Sequence, residues 1–127
     1  VEESDLTNLV NLIPADTDVI FLPIGPVVEK NFAAIKTFAD SKQLPIIASH
    51  GPNVVEGAVA ALVANHKDLG IACGQLAKQI LVDKKAISQL PVEYPKAPEL
   101  LLNKQATAAL KLELPAAMLA SAVKIIE

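Results

Sequence analysis

His50, His66 and Cys73 carry the side chains most used for nucleophilic and metal chemistry, but their spacing assembles neither. Cys73 falls on the apolar side of a helical pattern, where a thiol packs rather than reacts. Two histidines without a neighbouring Cys or Asp cluster do not make a metal site. Asp16 and Asp18 flank the amino end of an apolar run, the wrong end for catalysis in a parallel sheet. Neither a Gly-x-Gly-x-x-Gly nor a phosphate-loop pattern occurs. No catalytic residue, metal ion or cofactor is expected, and the chain reads as a binding module rather than an enzyme.

Binding chemistry is better supplied. In an open parallel sheet, ligands sit beyond the carboxyl ends of the strands. Three loops leave such ends here: Ile24-Gly25-Pro26-Val27, Ser49-His50-Gly51-Pro52-Asn53 and Asn65-His66. Gly25 lets a ligand approach the backbone, and the first N–H groups of the helix opened by Pro26, on Val27 and Val28, suit an anion such as a carboxylate. The same residues also read as an ordinary Gly-Pro helix start. Ser49 and His50 offer a hydroxyl and an imidazole to a polar ligand, or else stand exposed in a loop. Gly51 and Asn53 complete that loop, and Asn53 also reads as a simple turn residue. Glu56 pairs with a ligand amine, caps Gly57 or faces water. His66 reads as exposed in a first helical turn. The candidate ligand-binding set is therefore Gly25, Pro26, Val27, Ser49, His50, Gly51, Asn53 and Glu56.

The elements that must position this set are legible as apolar runs and helical stripes. Asp18–Pro23, Leu44–Ala48 and Ala58–Ala64 are almost wholly apolar, as strands covered on both faces are. Leu6, Leu9, Val10 and Ile13 space a helix from Asp5, with Ser4 as N-cap and Pro14 as its stop. Val28, Phe32, Ile35 and Ala39 form the stripe of the next helix. Asn65 caps a third, with Asp68 in its first turn and Leu69, Cys73, Leu76 and Ile80 on its face. Leu90–Tyr94 and Glu99–Leu102 read as short extended pieces. Lys104–Leu110 and Pro115–Ile126 read as closing helices. Strands alternating with helices predict an α/β fold with a doubly wound, mainly parallel sheet.

Composition agrees and excludes other classes. The chain has 127 residues, of which 52% are hydrophobic but only 3% aromatic, so the core is built from Val, Ile, Leu and Ala. A net charge of -3 gives no basic stripe for nucleic acid. The longest apolar run, Ala58–Ala64, is far short of the roughly 20 residues that span a membrane. Cys73, the one cysteine, cannot form an internal disulfide.

The punctuation between the elements is specific. Ile46-Ile47-Ala48-Ser49 is followed by Val55-Glu56-Gly57-Ala58 and Asp68-Leu69-Gly70, then by Leu90-Pro91-Val92-Glu93-Tyr94-Pro95 and Leu102-Asn103. This order resembles the C-terminal part of the solute-binding proteins of ABC transporters, in the group with tryptophan and tyrosine uptake systems. The strand Asp18–Pro23 and the late helix with Asn103, Thr107, Ala108 and Leu110 extend the resemblance over nearly the whole chain. Two positions depart from it: Ile24-Gly25-Pro26 stands where that group has a Thr-Asp-Asn type loop, and His66-Lys67 stands in a commonly aromatic segment.

The resemblance implies one lobe of a periplasmic-binding-protein type I fold. On that reading residues 1–127 form a single domain, a fragment of the C-terminal lobe with crossover segments at about 65–95. It implies hinge closure of two lobes around a small solute, an aromatic amino acid being one option, and delivery to an ABC permease. It places the protein outside the cell or in the cell envelope, periplasmic or lipid-anchored. The partners would be the solute, the permease and a missing N-terminal lobe, with no nucleic acid. The helix after the third strand packs on that first lobe in two-lobed relatives. Its stripe of Leu69, Ala72, Cys73, Leu76 and Ile80 is then left to fold back or to pair in a homodimer. Asn65-His66 and Ser88-Gln89-Leu90-Pro91 are the hinges for such an exchange. The competing readings are the ligand-binding core of a two-lobed cytoplasmic transcriptional regulator and a small flavodoxin-like α/β enzyme.

Overall fold

The computed structural model describes residues 12–94 and 97–127. The helix expected from Asp5 lies mostly outside them. The chain divides into two compact units, one formed by the residues up to Val63 together with Leu100–Glu127, the other by Ala64–Glu99.

The first unit is built on a five-stranded sheet whose order follows the chain: β1 (Ile20–Leu22), β2 (Ile46–Ala48), β3 (Ala60–Ala64), β4 (Pro98–Asn103) and β5 (Ala122–Ile126). The β1/β2, β2/β3 and β4/β5 pairs are parallel. The apolar runs therefore predicted both the three core strands and their direction. Between them lie α1 (Pro26–Lys30), α2 (Phe32–Ser41) and α3 (Gly51–Val55), with α5 (Lys104–Ala109) and α6 (Ala116–Ser121) between β4 and β5.

Register explains how the core forms. Leu22 is opposite Ala48, and Ala48 opposite Ala61, so these three share one face of the sheet. Phe32, Ile35 and Ala39 of α2 and Val54 of α3 cover it. Phe32, Ala39 and Val54 are essentially inaccessible to solvent. Small alanines at the strand positions let these helices approach closely. On the other face, Ala60 and Leu102 pack with Leu110, Met118 and Leu119. That cover stops short of the sheet's first half. Phe21, Ile47 and Leu62 alternate with the buried positions and stay exposed, Phe21 by 61%. The apolar runs imply cover on both faces; among the described residues, only one face of β1 and β2 receives it.

Three local expectations are corrected. The helix opened by Pro26 is broken at Asn31, whose backbone leaves helical geometry at φ −109°, ψ 12° and whose side-chain amide donates to the Val27 carbonyl at 2.9 Å. The Ser49–Asn53 loop is shorter than expected, because Gly51–Val55 is helical with Pro52 in its first turn. The closing helix ends at Ser121, and Ala122–Ile126 is a strand paired with β4. Val123, Ile125 and Ile126 are β-branched, and the free edge of β4 supplies backbone partners that a helix would not use.

The second unit is dominated by α4 (His66–Leu81). Asn65 caps it as expected, its side chain accepting from the Asp68 N–H at 3.0 Å. The Asn65 amide also donates to Glu99 at 2.5 Å, tying together the two ends of this unit. Leu69, Ala72, Leu76 and Ile80 are half-buried, but Cys73 is exposed, so the expected face turns away from the thiol. No residue of α4 is fully buried. Leu90–Tyr94 is irregular, following a 3-10 turn at Ile87–Gln89.

Candidate functional site

The site is built from the two loops that leave the carboxyl ends of β1 and β2. The parallel register sets these strands side by side, and the Ser49 N–H donates to the Leu22 carbonyl at 3.0 Å, holding the second loop against the end of β1. Gly25 is the N-cap of α1 in extended backbone, and Pro26 takes the first helical position. A Cβ at Gly25 would meet nothing within 4 Å, so this backbone borders open space. Pro26 is exposed and Val27 half-buried.

His50 is the N-cap of α3, in extended conformation and with no capping hydrogen bond from its side chain. Its imidazole instead faces α1. The Nδ1 atom stands 3.8 Å from the Glu29 Oε1, is buried, and has no hydrogen-bond partner. The two side chains remain about a third exposed, 30% for His50 and 36% for Glu29. Glu29 was not among the residues singled out from the sequence. Its signal was faint: one acidic residue in the first turn of a helix, ordinary dipole complementation.

The other predicted residues divide. Ser49 and Gly51 are half-buried beside His50. At Gly51 a Cβ would come within 3.3 Å of the Leu101 side chain, so the glycine serves close packing of α3 on β4. Asn53 is 3% exposed, and its backbone carbonyl accepts from the Ala58 N–H at 2.8 Å. Glu56 is exposed and follows α3. Gly51 and Glu56 line an open cavity of about 450 Å³ with Pro52, Val55, Leu101 and Lys124. That cavity does not include Gly25, Ser49 or His50. The fold thus gathers the predicted set into a loop pair around Glu29 and His50 and a separate hollow beside α3.

Among the described residues, no group of three His, Cys, Asp or Glu side chains is arranged to hold a metal ion. No helix among them is long and apolar enough to cross a membrane. His66 is exposed at the start of α4, as expected.

Comparison with known proteins gives this geometry its setting. The chain is 24% identical over 110 residues to a tyrosine-binding protein of Clostridioides difficile, a match covering 87% of this chain and 32% of that protein. It therefore spans about a third of that relative's length. It superposes on a Streptococcus pneumonia structure described as an ABC domain in complex with L-Trp, at a TM-score of 0.81, with 24% identity, over 98% of this chain and 42% of that one. A conserved domain protein of Vibrio cholerae is similar at a TM-score of 0.79 and 25% identity, again over 98% and 42%. The fold is that of these α/β structures, and the sequence family is one of substrate-binding proteins rather than enzymes. Residues 1–126 match the family of ABC transporter substrate binding proteins, and the chain belongs to that family.

Proposed function

We propose that the chain contributes one lobe of a solute-binding protein that captures an aromatic amino acid by hinge closure and passes it to a membrane permease. The observation that carries this is the family match across residues 1–126, taken with two loops at the carboxyl ends of adjacent parallel strands. In this reading Gly25, Pro26, Val27, Ser49, His50, Gly51, Asn53 and Glu56 form or flank the solute face of the lobe. The first unit is the lobe, and Ala64–Glu99 is the crossover portion that reaches the other lobe and returns. The protein works outside the cell or in the envelope, periplasmic or lipid-anchored. The tyrosine-binding relative and the L-Trp complex motivate the choice of solute.

A missing first lobe also accounts for α4, whose apolar residues have no full cover among the described residues. A second copy in a homodimer is the competing cover. Sedimentation velocity separates the two: a monomer at high concentration counts against the homodimer.

The solute reading is tested by titration calorimetry with L-tyrosine and L-tryptophan. A protein carrying both lobes binds one of them saturably, whereas the 127-residue chain binds far more weakly. Half the contacts leave little surplus over an association cost of at least ~4 kcal/mol. Micromolar binding by the 127-residue chain overturns the division of the site between lobes. No binding of either amino acid by the two-lobed protein overturns the aromatic solute.

A further inference from the structure

We infer that Glu29 is a positioning residue for His50: it holds the imidazole with the proton on Nδ1 and so presents Nε2 as a hydrogen-bond acceptor to an N–H or O–H group of the solute. The inference rests on the proposed solute site and assigns a role there to a residue outside the predicted set.

The argument begins with the orphaned atom. His50 Nδ1 is buried and unpartnered, although buried side-chain polar atoms are nearly always satisfied. Its neighbour is Glu29 Oε1 at 3.8 Å, beyond hydrogen-bond length by about 1 Å. Glu29 lies on the surface of α1, 36% exposed, so its rotamers are free to close that gap. An ionised carboxylate only accepts. The nitrogen that faces it must therefore be the donor, and in a neutral imidazole the second nitrogen then carries the lone pair. With Nδ1 buried, the 30% of the side chain that meets solvent belongs to its other atoms.

The fold makes this pairing deliberate. His50 caps α3 by backbone position alone, and its ring is free of the capping role. Glu29 reaches it from α1, which follows the loop after β1, because β1 and β2 are paired in parallel register. The contact thus sets α1 against the loop that follows β2. A solute donor, such as an amine or an aromatic N–H or O–H, meets an acceptor whose orientation is set in advance.

The test separates the dyad from the solute. Two-bond nitrogen–proton NMR on the 15N-labelled 127-residue chain, at a pH where His50 is neutral, reads the tautomer directly. The expected wild-type signal is Nδ1–H with an unprotonated Nε2. Glu29→Ala abolishes that preference, and Glu29→Gln, whose amide oxygen still accepts, retains most of it. An Nε2–H tautomer in the wild type, or a tautomer unchanged by Glu29→Ala, overturns the inference. In the two-lobed protein, Glu29→Ala weakens L-tyrosine or L-tryptophan binding about tenfold, the scale of one hydrogen bond, and Glu29→Gln restores most of it. Unchanged affinity in Glu29→Ala overturns the role in presentation. A wild type that shows the Nδ1–H tautomer but binds neither amino acid supports the dyad and counts against the aromatic solute.

Discussion

Asn103→Ala should be among the more damaging polar substitutions in the protein. Asn103 ends β4, is 4% exposed, and reaches three groups through its side chain and backbone N–H alone. Its side-chain oxygen accepts from the Ala106 N–H at 2.8 Å and caps α5. Its amide donates to the Val54 carbonyl at 2.7 Å, fastening the end of α3. Its backbone N–H reaches the Val59 carbonyl at 3.0 Å. Of these three bonds alanine keeps only the last, along with the backbone carbonyl that accepts from Thr107 Oγ1. Loss of the cap costs about 1 kcal/mol. Loss of the bond to Val54 costs about 0.5–1.5 kcal/mol, the net value of a hydrogen bond. The full penalty for an orphaned acceptor does not apply, since the Val54 carbonyl also accepts from the Gly57 N–H at 3.3 Å. With the buried volume left by the amide, the total is about 2–3 kcal/mol. Urea unfolding followed by far-UV circular dichroism is the assay, since the chain has no tryptophan. With a urea slope of about 2 kcal/mol per molar, the midpoint should fall by about 1–1.5 M. Asn103→Ser retains a capping oxygen and should recover about 1 kcal/mol of that loss. A shift in Asn103→Ala under about 0.25 M, or equal shifts in the two variants, would refute the division into cap and strap.

Two further outcomes follow from backbone conformation. Gly57 sits at φ 115°, and a Cβ there would press into the Lys36 side chain, so Gly57→Ala should lose at least about 1–2 kcal/mol and lower Tm by several degrees. Removing the Lys36 side chain as well should restore only part of that loss, and full restoration would show that the contact rather than φ is responsible. Gln43 and Lys111 end α2 and α5 at φ 57° and 56°, the left-handed conformation that glycine adopts freely. Relief of about 1–2 kcal/mol, less the extra entropy of an unfolded glycine, predicts a gain of about 0.5–1 kcal/mol for Gln43→Gly or Lys111→Gly, read as a rise in Tm.

What the sequence by itself determined is what depends on neighbours along the chain. The apolar runs at Asp18–Pro23, Leu44–Ala48 and Ala58–Ala64 became three parallel strands, since no other element packs such runs against helices so well. Asn65 and Asp68 specified the start of α4 through a contact three residues long. The order of short motifs carried the family. Other features were decided by distant partners. Ala122–Ile126 has both a helical spacing and a β-branched composition, and the open edge of β4 settled the choice. Cys73 matches the apolar stripe of α4, yet the packing of its unit leaves it exposed. The approach of Glu29 to within 3.8 Å of His50 brings together residues 21 apart through the parallel register of β1 and β2. Helical and strand periods report which way a side chain points from its own backbone. Which loops become neighbours is set by strand order, and only the folded sheet contains that information.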